Sequence, residues 1–241
     1  MSRESGDLRP ELARAVADYA LFVERGYPVK GVLKLVGDRH RLSGVERNIL
    51  YRGVVSTALA ERRTRRRLAL PHELPRRSTL IVDGHNVIFT VVNYLQGRTA
   101  FLAVDGFLRD AGNPARRIRA GEEFGRAVEE IGRRLRSLEP ARVVVYFDEP
   151  VTYSKDHIAR ARRAWAEVAP AVELHLVPSA DQALKGSPEG VLLTSDSTLI
   201  DATSLPVADL PRWIIEDGFG ARPARLAEWA GIHTDSRREG D

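Results

Sequence analysis

Short runs of β-branched and other apolar residues alternate with longer stretches of helical periodicity across residues 78–217, and this alternation restricts the fold more than any other feature of the chain. Strands that alternate with helices build a parallel sheet covered on both faces, so the pattern predicts an α/β fold with three layers, α/β/α. The predicted strands are STLIVD (78–83), ARVVVYFD (141–148), VELHLV (172–177), GVLLTSD (190–196) and RWIIED (212–217). The predicted helices between them cover residues 86–96, 121–138, 154–168 and 180–185. An insert at residues 99–113 has no assigned form, with a hairpin as one option.

The N-terminal part of the chain shows helical periodicity alone. The segment ELARAVADYALFVERG carries an apolar stripe at helical spacing that ends at Gly26, and VKGVLKLVG forms a second segment that stops at Gly37. Ser43, followed by Glu46 three residues later, is the pattern of a capping box, in which two residues exchange hydrogen bonds at the start of a helix. We therefore expect a third helix over residues 44–68.

Two prolines mark the boundary between the helical part and the alternating part. Pro71 and Pro75 lack a backbone donor and disfavour helix in the residue before them. The boundary is therefore expected within ALPHELPRRS (69–78). The sequence predicts a small all-α module over residues 1–70 and an α/β domain over residues 78–230.

The formal net charge of +4 is distributed unevenly along the chain. Residues 39–77 hold 11 basic and three acidic residues, whereas residues 78–241 hold 20 basic and 24 acidic residues. A basic module joined to an acidic domain suggests that the first binds a polyanion and the second binds cations. Arg47 and Arg52, on the third predicted helix, are then candidate contacts to a polyanion. The alternative is an arginine-rich helix face that interacts only with solvent.

Several functional classes are excluded by what the sequence lacks. Without cysteine there are no disulfides, thiolate nucleophiles, Cys-ligated zinc sites or iron–sulfur clusters. No apolar run approaches the ~20 residues of a membrane span, and the N-terminus lacks the apolar segment of a signal peptide, so we expect a soluble, cytoplasmic protein with no membrane partner. The motifs GxxxxGK[ST] and GxSxG are absent, as is GxGxxG after the first strand, which argues against P-loop NTPases, α/β-hydrolases and dinucleotide dehydrogenases.

Three of the predicted strands end in an aspartate: Asp83, Asp148 and Asp196. The carboxyl ends of parallel strands form one edge of a sheet, where α/β folds bind ligands, so the three carboxylates are expected on one rim. Asp181, at the start of a short helix, can face the same rim. Clustered carboxylates repel unless a cation lies between them, and Mg²⁺ and Mn²⁺ prefer oxygen ligands. The pattern predicts a divalent metal site, with the alternative that each aspartate is only a helix cap or turn former.

Polar neighbours of these aspartates are candidate substrate contacts. Asn86, in DGHN, is predicted to hydrogen-bond the substrate or to orient the aspartate before it, unless it only caps the helix that follows. Thr194 and Ser195 are candidate hydrogen-bond donors to the site, or ordinary hydroxyls at a strand end. Arg109, in the insert, is a candidate substrate contact, or a solvated loop charge.

Four segments resemble the PIN-like nuclease superfamily, in particular its NYN branch: IVDGHNVI, VVYFDEP, SADQAL and LLTSDSTLID. Over residues 78–217 they are similar, in order and spacing, to a strand ending in D-G-x-N, a strand ending in Asp, a T/S-A-D at a helix start and a T-S-D after a later strand. The segment LKLVGDRHRLSGVERNILYRG resembles a small helical module that precedes such a domain in a group of mainly archaeal proteins. Two features differ from many PIN domains: the helix between the first two acidic strands has no acidic residue in a recognisable motif, and the DGFLRD insert is additional.

The resemblance implies a PIN-like three-layer fold and cleavage of single-stranded RNA that depends on Mg²⁺ or Mn²⁺. Carried over by motif, the metal ligands and catalytic residues are Asp83, Asp148, Asp181 and Asp196. We therefore expect a metal-dependent ribonuclease in which metal-activated water attacks the phosphodiester. The alternative is a non-catalytic RNA-binding or assembly protein with a degenerate PIN-like domain, and a phosphatase with the same metal chemistry is a third option. The oligomeric state stays open, a homodimer included.

Overall fold

The computed structural model describes residues 9–112, 117–166 and 172–231 of the 241-residue chain. The chain divides into two compact units, which we call the helical unit and the sheet unit. The helical unit consists of Met1–Arg65, Arg98–Gly112 and Ala221–Asp241, and the sheet unit consists of Arg66–Gly97 and Asn113–Gly220.

The described residues form strands and helices in the following order. The strands are β1 (Arg67–Leu68), β2 (Thr79–Asp83), β3 (Ala100–Leu102), β4 (Leu108–Asp110), β5 (Arg142–Asp148), β6 (Val172–Val177), β7 (Val191–Leu193), β8 (Val207–Ala208) and β9 (Ala224–Arg225). The helices are α1 (Pro10–Glu24), α2 (Val29–Arg39), α3 (Gly44–Gly53), α4 (Thr57–Thr64), α5 (Gly84–Leu95), α6 (Glu122–Ser137), α7 (Ser154–Ala164), α8 (Ala180–Lys185), α9 (Ser197–Ala202), α10 (Leu210–Trp213) and α11 (Leu226–Ala230). None of these helices has the length and apolar character that crossing a bilayer requires. Residue 113 of the predicted insert and residues 167–168 of a predicted helix lie outside the described residues.

The sheet unit contains a six-stranded parallel sheet with the strand order β1-β8-β7-β2-β5-β6. Strands β2, β5, β6 and β7 lie where the sequence predicts them, with α5 to α8 between them, so the predicted α/β class is confirmed. The chain passes from β2 outward to β5 and β6 and then returns to β7 on the other side of β2. Such a reversal opens a crevice at the carboxyl ends of the strands, where open α/β sheets bind ligands.

The central strands are apolar on both faces because helices cover both sides of a parallel sheet. Every residue of β2 after Thr79 is buried, and Val82 pairs with the buried Val145 of β5. Helix α6 contributes a buried stripe at helical spacing: Phe124, Ala127, Val128, Ile131 and Leu135. This burial determines the register of β2, since a slip of one residue would exchange its two faces. It thereby determines where the residue after each strand lies.

The predicted strand at residues 212–217 is wrong, because this segment is helical. It forms the end of α10 and a single π-helical turn, Ile214–Gly218. Asp209 caps the helix by accepting a hydrogen bond from Arg212 N at 2.9 Å, and Trp213 Nε1 donates to Asp217 Oδ2 at 2.9 Å. Side-chain contacts four residues apart stabilise helix and not strand. A short apolar run does not distinguish the two by itself.

The helical unit begins with α1, whose first residue, Pro10, suits a helix start because its missing N–H has no partner there. The buried stripe of α1 consists of Leu12, Ala15, Val16, Tyr19 and Ala20. The predicted capping box is confirmed at the start of α3. Ser43 Oγ accepts a hydrogen bond from Glu46 N at 3.3 Å, and Ser43 N donates one to Glu46 Oε2 at 2.7 Å.

The predicted single helix over residues 44–68 is corrected to two helices, α3 and α4, separated by a short extended segment. The break follows Gly53, where a Cβ atom would lie 2.3 Å from Leu226 Cδ1 and 2.7 Å from Phe101 Cε2. Val104 N also donates a hydrogen bond to Gly53 O at 2.9 Å. The helix therefore ends where residues far along the chain pack against it.

The insert at residues 99–113 forms the hairpin that the sequence leaves as an option. β3 pairs antiparallel with β4, and β9 joins β3 in parallel as a third strand. Phe101 and Leu226 pack into the same apolar cluster as the buried residues of α1, α2 and α3. The prediction that residues 78–230 form one domain is corrected accordingly: residues 98–112 and 221–231 belong to the helical unit because they complete its core.

The first segment of the helical unit ends at Arg65, earlier than the predicted boundary at residue 70. Strand β1 pairs with β8 at the edge of the six-stranded sheet. Arg66 donates hydrogen bonds to Ile200 O at 2.6 Å and to Thr203 O. These contacts place residues 66–70 in the sheet unit.

Candidate functional site

Three of the predicted site residues follow three neighbouring strands. Asp83 ends β2, Asp148 ends the adjacent β5, and Asp196 follows β7 on the other side of β2. The register pairs Asp83 with Tyr146 on β5 and Val82 with Leu193, the last residue of β7, so Thr194 follows β7 at the level of Asp83. Asp148 and Asp196 therefore each extend two residues beyond the level of Asp83, one on each side of it.

Asp181 lies in the first turn of α8, which follows β6. Burial raises the pKa of the Asp181 carboxyl, the charge of Asp196 raises it further, and Asp148 adds to this effect against the opposing Lys185. Asp83 is repelled in turn by Asp196 and Asp181. Repulsion between charges weakens with distance, so carboxylates that raise one another's pKa lie near each other. The four carboxylates therefore form one electrostatic cluster. We call Asp83, Asp148, Asp181 and Asp196 the acidic rim.

Asp83 is the most buried member of the acidic rim, with 5% of its surface exposed. Thr194 Oγ1 donates a hydrogen bond to Asp83 Oδ2 at 2.9 Å, and Asn86 N donates one to Asp83 Oδ1 at 3.4 Å. Burial raises the pKa of Asp83 to about 7, and the hydrogen bonds only partly oppose this rise. No lysine or arginine of the described residues forms an ion pair with Asp83. Its negative charge is therefore unfavourable unless a cation approaches.

The residues after Asp83 explain why DGHN stands at this strand end. A Cβ atom on Gly84 would lie 2.8 Å from Tyr146 O, so only glycine lets α5 begin this close to β5. Asn86 Oδ1 accepts hydrogen bonds from Ser195 N at 2.9 Å and from Ser195 Oγ at 3.2 Å, and Thr194 Oγ1 lies 3.2 Å away. The structure thus brings Asn86, Thr194 and Ser195 together around the first aspartate. Their orienting contacts are formed, and their predicted contacts to substrate stay a prediction.

Two of the clustered aspartates, Asp148 and Asp196, also cap helices, as the alternative interpretation of the sequence predicts. Asp196 Oδ1 accepts hydrogen bonds from Thr198 N at 2.6 Å and from Leu199 N at 3.2 Å at the start of α9. Asp148 Oδ1 accepts one from Ala180 N at 2.7 Å at the start of α8. Each cap uses a single carboxylate oxygen and so orients the carboxylate, while the second oxygen of Asp148 lies 3.7 Å from His85 Nδ1.

Two buried histidines support the end of β5. His157 Nε2 lies 2.8 Å from Ile118 O, which accepts only if this nitrogen carries a proton. His157 Nδ1 then accepts from His85 Nε2 at 3.3 Å, and His85 Nδ1 accepts from Asp148 N at 3.2 Å. These hydrogen bonds are consistent with one pair of neutral tautomers. The result is a directed hydrogen-bond chain that ends at the backbone of an acidic-rim residue.

The environment of the histidine pair keeps both rings neutral. Burial lowers the pKa of His85 to about 4, and His157 lowers it further against the effect of Asp148. Burial also lowers the pKa of His157. The sequence shows no signal for this pair, because the two residues are 72 positions apart and match no metal-ligand spacing.

Arg109 does not face solvent. It is 2% exposed, and its Nη2 lies 3.3 Å from Asp105 Oδ2, which also accepts a hydrogen bond from Arg63 Nη1 at 2.8 Å. The guanidinium of Arg109 lies 5.5 Å from the centroid of the Phe107 ring. The predicted substrate contact by Arg109 is corrected to a structural ion pair within the helical unit.

Arg47 and Arg52 also have partners within the helical unit. Arg47 Nη2 donates to Asp38 Oδ1 at 2.8 Å, and Arg52 Nη1 donates to Asp110 O at 2.6 Å. Their side chains are about 30% exposed, at 29% for Arg47 and 30% for Arg52. The predicted contacts of these residues to RNA stay a prediction, and the contacts observed connect α3 to α2 and to the hairpin.

The acidic rim fits a hard divalent cation by the chemistry of its donors. All four side chains offer carboxylate oxygens, which Mg²⁺ and Mn²⁺ prefer. Across residues 9–112, 117–166 and 172–231, no group of three or more His, Asp or Glu side chains is arranged so that it could hold a metal ion. Mg²⁺ usually keeps several waters and is bound through only one or two carboxylates, so such a group is not required.

The fold and the rim together define a class of protein: a parallel α/β sheet with carboxylates gathered at the carboxyl ends of its strands. Residues 73–213 match the model of the family described as "Domain of unknown function (DUF5616)", and the chain belongs to this family. Residues 11–66 match a second model, described as "Protein of unknown function (DUF434)".

The chain is also similar to a protein from Methanocaldococcus jannaschii, named "Uncharacterized protein MJ0935". The two are 25% identical over 206 residues, which cover 85% of this chain and 97% of that protein. No solved structure gives a significant match. The similarity thus extends over nearly the whole length of the archaeal protein.

Proposed function

We propose that the protein is a metal-dependent ribonuclease that cleaves single-stranded RNA in the cytoplasm, with Mg²⁺ or Mn²⁺ bound at the acidic rim. The observation that carries this proposal is the burial of Asp83 among other carboxylates without a cationic partner in the described chain. Burial, Asp196 and Asp181 together raise the pKa of Asp83 to about 7. A buried charge that its own fold does not neutralise points to an exogenous cation.

The acidic-rim residues would hold the ion directly or through its waters. When bound, the ion supplies Lewis-acid chemistry, which activates water and neutralises the charge that develops on the phosphate. Thr194 orients Asp83 through its hydrogen bond, and Asn86 ties the start of α5 to the end of β7. The histidine chain holds the backbone of Asp148 in place. Mutation of residues that hydrogen-bond to a metal ligand typically lowers metal affinity or activity 10–100-fold.

The test is cleavage of an end-labelled single-stranded RNA in the presence of Mn²⁺. We expect wild-type protein to cleave, and Asp83→Asn and Asp196→Asn to lose at least about 100-fold in rate, since loss of a ligand should cost no less than loss of the residue behind it. The matched control is Glu189→Gln, an exposed carboxylate just before β7, at the opposite edge of the sheet. The control should cleave as the wild type does.

Three outcomes would contradict the proposal. Equal cleavage by wild type and both aspartate variants would show a contaminating nuclease. Binding of the RNA by wild type without cleavage would favour the non-catalytic RNA-binding alternative. Release of phosphate from a mononucleotide, with no cleavage of RNA, would favour a phosphatase.

A further inference from the structure

A cavity of about 540 Å³ opens on the sheet unit where α6 and α7 begin. The residues that matter for its chemistry are Arg119, Gly121, Tyr153, Asp156, Arg160 and Arg163. Sites for small molecules in proteins typically enclose about 300–1,000 Å³, so the cavity can accept a ligand of nucleotide size. None of these residues belongs to the acidic rim.

The cavity is electropositive because three arginines line it against one carboxylate, Asp156. Arg160 is held against α6: a Cβ atom on Gly125 would lie 2.6 Å from Arg160 Nη2. The carboxylate that pairs with Arg160 is Glu129, at 3.8 Å, and that side chain is 61% exposed. Arg163 has no ion pair with any residue that the structure describes. Three guanidinium groups outnumber the one carboxylate in this concave site, which favours an anionic ligand, and phosphate suits their planar donors.

An aromatic ring and an open helix end add to the arginines. Tyr153 has φ +70°, a left-handed conformation unfavourable for a residue with a side chain, and the guanidinium of Arg119 lies 5.5 Å from the centroid of its ring. Gly121 is the N-cap of the 16-residue helix α6 and offers no side chain to its first N–H groups. The neighbouring Glu122 and Glu123 do not line the cavity. Arginine beside an aromatic ring is a combination that binds phosphate and stacks a base.

The cavity lies at the same edge of the sheet as the acidic rim and is joined to it by hydrogen bonds. Tyr153 precedes α7, which follows β5 and its terminal Asp148. Ile118 O, adjacent in sequence to Arg119, accepts the hydrogen bond from His157, and the histidine chain continues to Asp148. The cavity and the acidic rim therefore share one edge of the sheet, where a single bound RNA would contact both.

We propose that this cavity binds a flanking nucleotide of a single-stranded RNA, with Arg160 and Arg163 on its phosphate and the Tyr153 ring against its base. That the bound polymer is RNA rests on the proposed function. That the cavity binds phosphate rests on the residues of the cavity alone. The proposal makes the cavity an anchoring site distinct from the site of cleavage.

The experiment measures binding without catalysis. A fluorescein-labelled single-stranded RNA is titrated with the full chain in EDTA, and fluorescence polarisation gives Kd at several salt concentrations. We expect the double variant Arg160→Gln/Arg163→Gln to bind about 10-fold more weakly and to reduce the slope of log Kd against log salt by roughly 0.7 for each phosphate that the variant no longer neutralises. The control is Arg162→Gln, an exposed arginine of α7 that does not line the cavity; it should change Kd by less than about twofold, since it binds no phosphate in this proposal.

The outcomes separate this proposal from the proposed function. An unchanged Kd and salt slope in the double variant would overturn the anchoring site, and so would an equal loss in the Arg162→Gln control. Competition by adenosine monophosphate or inorganic phosphate as strong as that by unlabelled RNA would overturn the strand assignment and indicate a mononucleotide or phosphate site. If the double variant fails to fold, Arg163→Gln alone carries the same test. Because EDTA removes catalysis, a chain that binds RNA here and cleaves nothing would keep this proposal and reject the ribonuclease.

Discussion

Two buried aspartates, one in each compact unit, differ in whether the fold neutralises their charge. Asp105, in the β3–β4 turn of the helical unit, is 1% exposed and lies 2.8 Å from Arg63 Nη1 and 3.3 Å from Arg109 Nη2. Asp83, in the sheet unit, is 5% exposed and accepts hydrogen bonds only from a hydroxyl and a backbone N–H of the described residues. The first charge is neutralised inside the fold, whereas the second is repelled by its neighbours.

The difference separates a structural carboxylate from a candidate ligand. A buried ion pair with further hydrogen bonds holds segments together, and in the helical unit it joins α4 to the hairpin. A buried carboxylate without a cation reduces the stability of its own unit at neutral pH. The unit regains this stability when a cation binds. Burial and residue type alone do not distinguish the two; the presence of a cationic partner does.

The largest effect is expected from removing Asp105. Asp105→Ala leaves Arg63 and Arg109 buried beside each other without their shared carboxylate, so the free energy of unfolding of the chain should fall by about 3–5 kcal/mol. Urea denaturation followed by circular dichroism measures the change. A loss below about 1 kcal/mol, the range of an exposed pair, would show that the network is not the structural ion pair described.

Substitution of Asp83 is expected to raise the free energy of unfolding at neutral pH, whereas substitution of Asp105 lowers it. The pKa of Asp83 in the folded state, about 7, lies above the ordinary value near 4, so the folded state binds the proton more tightly than the unfolded state. Protonation therefore stabilises the fold fully below pH ~4, and this stabilisation is lost as the pH rises through 7. Asp83→Asn cannot ionise. Without divalent ions it should match wild type at pH 4 and exceed its stability by roughly 2–4 kcal/mol at pH 8.

The same variant tests the cation. Mn²⁺ at about 100 times its Kd should stabilise the wild type at pH 8 by roughly 2.7 kcal/mol and leave Asp83→Asn nearly unchanged. Thermal melting with and without Mn²⁺ measures the shift, with Glu189→Gln as the control that keeps it. Equal shifts in wild type and Asp83→Asn would place the ion elsewhere.

The histidine chain shows a third way to bury polar groups, through neutral hydrogen bonds. His157→Leu leaves His85 Nε2 and Ile118 O without their partner, so unfolding at pH 7 should become easier by about 1–3 kcal/mol. The pKa values of His85 and His157 in the folded state lie below the ordinary value for histidine. The stability that neutral burial of the two rings allows is therefore present above pH ~6.5 and is lost as the pH falls toward 4. The variant should lose less over this range. An equally steep acid dependence would contradict neutral burial of His157.

The smallest effect is expected at an exposed ion pair. Arg47 pairs with Asp38, a carboxylate whose pKa is lowered by hydrogen bonds from Lys34 and Arg47. Arg47→Gln should change the free energy of unfolding only slightly, because exposed ion pairs contribute little to stability. Fluorescence polarisation beside an Arg39→Gln control checks the affinity for RNA. A selective loss of RNA binding in Arg47→Gln would support the RNA contact that the sequence predicts for this residue, and an unchanged affinity would contradict it.

Much of the sheet unit follows from local patterns. Periodicity places β2, β5, β6 and β7 and the helices between them, because a strand of a covered parallel sheet must be apolar on both faces. Topology then brings the strand-end aspartates to one edge, since all strands of such a sheet point the same way. The DGHN segment can be interpreted before any coordinates, as a cap and a tight turn.

Other features depend on contacts that the apolar pattern does not show. RWIIED is helical because Asp209 caps it and Trp213 donates a hydrogen bond to Asp217, three and four residues apart, although its composition also suits a strand. The third predicted helix breaks at Gly53 because Phe101 and Leu226 occupy the space beside it. No local pattern records which distant residue fills a given space.

The sequence by itself determined the α/β class, the order of the central strands along the chain, and the placement of four carboxylates at strand and helix ends, because these depend on period and on neighbours a few residues away. The tertiary structure alone decided that Arg63 neutralises Asp105, that His85 meets His157, and that the insert joins the helical unit. Ion pairs, ring contacts and core membership form between segments that are 42 or 72 residues apart, or more, and packing, not periodicity, selects them.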